Sequence, residues 1–493
     1  MTVLKQALSA GAAFMIAACA TSELAAPTRR IAPPPQAGDS YFEAAARVLT
    51  SPAPRRARNV ILFVGDGMGV TTVTASRIYA GQSRGVDGES YELTMDTFPN
   101  VALSRTYGSD AQISDSAPTA TALMAGVKAD NGVIGLTEAA TPGRCEGSHA
   151  FIARSIFEIA EEAGLATGIV STARITHATP AAAYAHVADR DWENDAAAPA
   201  GGACIDIARQ LIEWPAGDGF EIALGGGRAS FLPSTAPDGV RRDGRDLTRE
   251  WASREGRLYV TNAAELSAAP PDAQVLGLFS SSHMLFEAQR VRDSRGEPSL
   301  AEMTAAAIRR LSRNGEGYVL LVEGGRIDHA HHAGMAGLAL ADTVAFDDAI
   351  RVALEMTSRE DTLIIATADH SHTLTMSGYA ARGTPILGLS GTPAGPASAA
   401  DGRPYTTLGY ANGPGAVYPP QGEAPRQRPD LSEVDTQALD YRQQALVPME
   451  SETHGGEDVA IYAWGPGDDA VRGTMEQNAV FHVMARALGF SWR

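Results

Sequence analysis

Apolar residues in this chain gather into short runs, and each run ends in small, acidic or polar residues. Residues 60–64 lead into Gly65-Asp66-Gly67, 166–170 precede Ser171-Thr172, and 221–224 end in Gly225-Gly226-Gly227. Residues 318–322 end at Glu323, 362–366 precede Asp369-His370, and 459–464 form a sixth run. Between them lie stretches with helical spacing, such as 150–163 and 338–356, and 40–49 reads as a short amphipathic helix. Strands alternating with helices predict an α/β fold: a large central, mostly parallel sheet flanked by helices. In such sheets sites form beyond the carboxyl ends of the strands, so polar residues at several strand ends converge in space.

Residues 371–448 break the alternation. They are rich in Gly, Pro and small polar residues yet keep apolar clusters such as Ile386-Leu387-Gly388-Leu389, which reads as a small inserted subdomain rather than a linker. At 493 residues the chain has room for about three domains, or for one large α/β domain with insertions. A hydrophobic share of 44% suffices for a large core. The net charge of −18 argues against a general binder of nucleic acid or anionic membrane. Any phosphate chemistry would need local positive charge, from metals or a few arginines.

The N-terminus has the look of an export signal. Lys5 precedes an apolar stretch over 7–18 that is too short to span a bilayer, and Ile16-Ala17-Ala18-Cys19 resembles a bacterial lipobox. The expected organisation is a lipoprotein-type signal over 1–18, a Pro-rich linker over 19–38 and a catalytic body over 39–493. The protein is then exported to the periplasm or cell surface and lipid-anchored through Cys19, with ordinary secretion as the alternative. Two further cysteines, Cys145 and Cys204, are left for an intrachain disulfide or for two buried thiols.

Asp115-Ser116-Ala117-Pro118 reads as a helix start, where backbone N–H groups favour an anion; taken alone, Ser116 reads first as an ordinary capping serine. The His and carboxylate pattern is more specific. Asp328 and His332 share one helix face, Asp369-His370 follows an apolar run, and His454 sits in Glu452-Thr453-His454-Gly455-Gly456. Mixed His and carboxylate ligands suit zinc, and two metals together clamp the oxygens of a phosphoryl transfer.

Six ordered motifs resemble the alkaline phosphatase family. They are Val64-Gly65-Asp66-Gly67-Met68-Gly69, Asp115-Ser116, Thr176-His177-Ala178-Thr179-Pro180, Val322-Glu323 through Asp328-His329, Thr367 through His372, and the His454 motif. Tyr184-Ala185-His186, Arg190-Asp191-Trp192 and Asn412-Gly413-Pro414-Gly415 are similar to the animal branch rather than the enterobacterial one. The resemblance implies phosphate monoester hydrolysis through a phosphoserine on Ser116, with Arg190 holding the phosphate. It implies one zinc on Asp328, His332 and His454 and a second on Asp369, His370 and Asp66, with Ser116 completing it. A magnesium follows on Asp66, Thr179 and Glu323, supported by His177 and His329 as in the animal type. His331, His372 and His186 match too and read equally as support or packing.

The same resemblance pairs Cys145 with Cys204. It makes 371–448 a crown-like insertion and, with an embracing N-terminal helix, implies a homodimer. It leaves calcium open: Phe286 and Glu287 fit two positions of the animal calcium site and Glu297 stands for an aspartate, but the loop over 234–241 looks short where a further acidic ligand belongs. Diesterase and sulfatase members of the superfamily are the rival enzymes, and Glu323 with Thr179 speaks for monoesters. A lipid-anchored binding protein without turnover would have no need of Ser116 beside Asp115.

Overall fold

The computed structural model describes residues 28–49, 55–200, 204–416 and 428–491. The export signal and Cys19 lie outside them. The body is built on a ten-stranded sheet. In chain order its strands are β1 (Asn59–Gly65), β2 (Asn100–Arg105), β3 (Ala166–Arg174), β4 (Ile222–Gly226), β5 (Arg257–Val260), β6 (Gln274–Leu278), β7 (Tyr318–Glu323), β8 (Thr362–Ala368), β9 (Val459–Trp464) and β10 (Gly473–Glu476). They lie in the order β10-β2-β9-β8-β1-β7-β3-β4-β6-β5. Pairing is parallel throughout except around β9, which runs antiparallel to both β2 and β8.

Helices used below are α1 (Ser40–Val48), α2 (Val70–Ser83), α3 (Ser116–Ala125), α4 (Leu300–Leu311), α5 (Arg326–His332), α6 (Ala336–Met356) and α7 (Ala479–Ala487). They cover both faces of the sheet. Val60, Leu62 and Val64 of β1 pack into the cluster that holds Leu123 and Met124 of α3 and Val480 and Met484 of α7. Ile61 and Phe63 of the same strand join the cluster of Leu300 and Met303 from α4 and Phe346 and Ile350 from α6. A strand buried on both faces has no polar alternation to show, which is why the central strands read as continuous apolar runs.

The six expected strands are all present and adjacent, forming the middle of the sheet. The helix expected over 338–356 is α6. The one expected over 150–163 is shorter, Ile156–Glu162, because Ser155 caps it in a reciprocal box with Glu158 while Ser148–Phe151 form a separate 3-10 turn. Part of the segment read as linker is docked on the body. Arg29–Arg30 pair with Phe490–Ser491, and the buried Gln36 amide donates to the carbonyls of Ala125 and Arg154. Those backbone partners lie far off in sequence, beyond the reach of a composition argument.

Within 371–448, Leu374–Met376, Leu408–Gly413 and Ala445–Pro448 form a small separate sheet. Its Leu374, Leu408 and Tyr410 pack with Ile386 and Leu387 against Ile78 of α2 and Leu340 of α6. Cys145 and Cys204, 59 residues apart in sequence, form a disulfide with their Cα atoms 5.4 Å apart. Among the described residues no helix is long and apolar enough to cross a membrane.

Candidate active site

The carboxyl ends of β1, β3, β7 and β8 meet over the middle of the sheet, and each hands on a chemically active segment. β1 delivers Asp66 into a tight turn at Gly67, whose φ is +69°. A Cβ at Gly67 would run into the His372 ring, so the close approach of these segments needs glycine there. β3 leads to His177 and to Thr179 on the short helix Ala178–Ala181. β7 ends at Glu323 and continues into α5, which carries Asp328, His329 and His332. β8 leads to Asp369 and His370, and the two-residue strand His454–Gly455 pairs antiparallel with Ser371–His372.

Ser116 is the first residue of α3. The Asp115 carboxylate caps that helix, accepting from the Ala117 N–H at 2.7 Å. The Ser116 Oγ lies 3.1 Å from His370 Nε2 and 3.4 Å from Asp66 Oδ1. His370 Nε2 is in turn 3.3 Å from both Asp66 Oδ1 and Asp369 Oδ2. Asp369 accepts through Oδ1 from the N–H groups of Gly67 and His370, at 3.0 and 2.9 Å, which fixes its plane. Thus Asp66, Asp369 and His370 form one group able to hold an ion, with the serine hydroxyl beside it.

A second group lies next to it. Asp328 Oδ1 is 3.2 Å from His332 Nε2 and 3.5 Å from His454 Nε2, and the two imidazole nitrogens face each other at 3.2 Å. The far nitrogen of each ring is taken by a backbone carbonyl: His332 Nδ1 by Glu452 O at 2.5 Å, His454 Nδ1 by Ser114 O at 2.8 Å. An Nδ1–H held this way leaves Nε2 as a lone pair, and two lone pairs aimed at one carboxylate oxygen is the donor set of a metal site. The rings of His370 and His454 stack at 3.6 Å, so the two groups are contiguous.

A third group joins Asp66 and Glu323 with His177. Asp66 Oδ2 and Glu323 Oε1 are buried with no hydrogen-bond partner among the described residues. Two orphaned carboxylate oxygens in one space fit a cation and little else. The buried Thr179 hydroxyl oxygen likewise has no hydrogen-bond partner among the described residues. Arg190 spans the entrance, its Nη2 donating to His177 Nε2 at 2.9 Å and its Nη1 lying 3.5 Å from Asp115 Oδ1.

Burial and crowding set the charges. Asp66 is raised well above the carboxylate range by burial and by Asp369, Asp328 and Glu323. Burial, with Asp369 and Asp328 adding, pushes Glu323 up to about 8 even though Ser171 donates to it. Burial and the neighbouring His454 hold His370 well below its usual value, so it stays a neutral donor of a lone pair. Burial would also raise Asp328, but His332, His372 and His454 hold it well below the ordinary range. A set of carboxylates that burial drives toward protons is one that divalent cations would relieve.

His372, His331 and His186, which read from the sequence equally as support or packing, each have partners that fit support, and one further histidine, His283, escaped sequence reasoning. His372 donates from Nε2 to Asp328 at 2.8 Å and from Nδ1 to Glu452, so it orients Asp328 rather than offering a lone pair. His331, packed on His372 at 4.8 Å, bridges Thr72 and the Tyr410 hydroxyl, and His186 bridges Glu158 and Gly135 O away from the three groups. His283 packs on His329 at 3.9 Å and on His177 at 5.4 Å. Its signal was its place beyond the carboxyl end of β6, a strand the apolar pattern did not reveal. At the calcium positions, Glu287 grips the Arg290 guanidinium with both oxygens, and Glu297 accepts from the Leu285 N–H. Among the described residues neither belongs to a metal-capable group.

A family model described as alkaline phosphatase matches residues 57–490. The tissue-nonspecific alkaline phosphatase isozyme of Gallus gallus is 45% identical over 450 residues, covering 87% of this chain and 84% of its own. The alkaline phosphatase of Gadus morhua is also 45% identical, covering 88% and 92%. Among solved structures, Thermus thermophilus alkaline phosphatase superposes with a TM-score of 0.65 at 26% identity, covering 92% of this chain and 95% of its own. The alkaline phosphatase of the Antarctic bacterium TAB5 reaches 0.63 at 22% identity, covering 89% and 100%, a likeness of fold.

Proposed function

The chain belongs to the alkaline phosphatase family and is a phosphatase, and from that premise we propose that it hydrolyses phosphate monoesters through a phosphoserine on Ser116. The observation that carries this is the position of the Ser116 Oγ, at a helix start and within 3.1 to 3.4 Å of His370 and Asp66. Asp328, His332 and His454 would hold one zinc, and Asp66, Asp369 and His370 another. Asp66, Thr179 and Glu323 would hold magnesium, with His177 and His329 beside it. Calcium is left out of this complement, because Glu287 is already neutralised by Arg290. Bound there, the divalent ions supply Lewis acidity that activates hydroxyl and water at neutral pH and offsets developing charge.

The chain's own residues do the rest. The start of α3 turns its dipole and the Ser116 N–H toward the phosphate, because Asp115 takes the Ala117 N–H and Pro118 has none. The Arg190 fork binds two phosphate oxygens and aligns phosphorus on Ser116. The serine oxygen attacks, a P–O(Ser116) bond forms and the bond to the alcohol breaks. Water then cleaves the phosphoserine and releases phosphate. His372 keeps Asp328 in orientation throughout.

The test compares p-nitrophenyl phosphate with bis(p-nitrophenyl) phosphate, with and without chelator. Expected are preferential cleavage of the monoester and loss of activity on chelation that zinc with magnesium restores. Preference for the diester, or full activity without metal, would overturn the proposal.

We further propose a homodimer, through α1 and the crown-like 371–448 region, and export with a lipid anchor on Cys19. Exposed Tyr379, Leu446 and Val447 in that region suit an interface. A monomer mass in light scattering at micromolar concentration contradicts the dimer. Cys19→Ala should release activity from the membrane fraction; wild-type activity that is already soluble, with an unmodified N-terminus beyond Cys19, points to ordinary secretion.

A further inference from the structure

Next to Asp115, the residue before Ser116, opens a cavity of about 800 Å³, which we take as the space for the alcohol half of a substrate. His332 and His454 form its inner end and Asp115 one flank. Its mouth is apolar: Ile113 is 49% exposed and Met449 43% exposed, so both present surface to whatever enters. Glu450, exposed, adds a carboxylate to the same wall. No lysine or arginine is among the described residues that line it. Asp115 is partly balanced, by the Ala117 N–H and by Arg190, whereas Glu450 pairs with no cation among the described residues.

The wall is also fixed. Asn131 accepts from the Asp115 N–H at 3.1 Å and donates to the Ile113 carbonyl at 3.4 Å, which ties down one side. On the other side Met449 leaves the crown strand Ala445–Pro448 with its N–H on Gly413 O at 3.3 Å. The Glu452 N–H then bonds His332 O at 2.9 Å. Glu450 therefore rides on a loop anchored at both ends.

From this cavity we infer, on the basis of the phosphomonoesterase proposal, that the enzyme selects esters whose alcohol is apolar or cationic over esters whose alcohol carries further negative charge. The charge of the transferred phosphate is met by Arg190 and the metal-capable groups at the inner end. Beyond that end the alcohol meets methylenes, a thioether and carboxylates. A second anionic group in this space would face Glu450 and Asp115 with no lysine or arginine among the described lining residues to receive it. An ammonium there gains attraction, and an aryl or alkyl group covers Ile113 and Met449.

The experiment measures kcat/KM for phosphocholine, p-nitrophenyl phosphate and 3-phosphoglycerate on the metal-replete enzyme, with p-nitrophenyl phosphate as the reference in each variant. The wild type should favour phosphocholine over 3-phosphoglycerate, and Glu450→Lys should shift that ratio toward phosphoglycerate by about fivefold, as expected for a surface charge. Glu450→Gln should move it about half as far on a logarithmic scale, and added salt should shrink the wild-type preference. A wild-type preference for phosphoglycerate, or a ratio that Glu450→Lys leaves unmoved while the reference ester is still cleaved, overturns the inference. Failure of the wild type to cleave any of the three esters would instead overturn the phosphomonoesterase proposal itself.

Discussion

At the scale of single residues, the site depends on groups that never touch substrate. His372 is the clearest. Burial disfavours its charge, but its hydrogen bonds to Asp328 and Glu452 outweigh that and raise the imidazole to about 9. It fixes the Asp328 oxygen that His332 and His454 also face. His372→Ala should therefore weaken zinc binding by about 10- to 100-fold, with activity falling in step and recovering at high zinc. Metal content and rate measured on the same samples check this; an unchanged zinc affinity would make His372 a packing residue. The residues that meet in the three groups were legible because most of them lie in short motifs near expected strand ends and because those motifs resemble the family's. His283 and the Glu450 wall were not, since they stand in loops whose neighbours carry no pattern.

At the scale of elements, the legible and illegible strands divide by position in the sheet. β9, β8, β1, β7, β3 and β4 form its contiguous middle and are buried on both faces. The strands missed are those toward the two margins. In β2 the large Val101 and Leu103 are exposed while the small Ala102 and Ser104 are buried, so side-chain size and burial run opposite to the usual code. β6 is interrupted by Gly277, and β5 opens on Arg257.

A second element-scale feature lies at the opposite end of the sheet from the site. Glu161, near the end of the helix before β3, accepts from the Thr167 hydroxyl at 2.5 Å, and Glu221, just before β4, accepts from the Thr167 N–H at 2.7 Å. Burial, with Glu221 adding, pushes Glu161 up to about 9, and burial pushes Glu221 to about 7. An unfolded glutamate titrates near 4.3, so across the window from there to about 9 the folded state holds the extra protons. Stability is therefore present at low pH and lost as pH rises through that window. Glu161→Gln keeps the hydrogen bond and removes the titration. It should raise stability at about pH 8.5 by roughly 1–2 kcal/mol and change little at about pH 5. Denaturant melts at both pH values check it; equal effects at both would rule out the titration.

At the scale of the whole molecule, covalent and metal links stabilise what the sheet alone does not. The Cys145–Cys204 disulfide closes a loop with a sequence separation of 59. In the chain-entropy model a loop of that size stabilises by about 4 kcal/mol, so replacing both cysteines by alanine should lower the unfolding free energy by roughly that amount. Equilibrium urea unfolding checks it; an unchanged midpoint would mean that the reduced chain is equally constrained. Chelation should also lower the melting temperature, because Asp66, Glu323 and Asp369 then have to share their buried space without cations. A melting temperature unaffected by chelator would mean that the folded state gains nothing from metal.

The central proposal is that Ser116 carries the phosphoryl group between alcohol and water, and trapping tests it directly. The metal-replete enzyme is mixed with a phosphate monoester, quenched in acid and digested, and the peptide containing Ser116 is weighed by mass spectrometry. One added phosphoryl group on Ser116, absent in Ser116→Ala protein that still binds zinc, is the predicted result. An unmodified Ser116 peptide during turnover, or a Ser116→Ala enzyme that hydrolyses the ester at the wild-type rate, would contradict it.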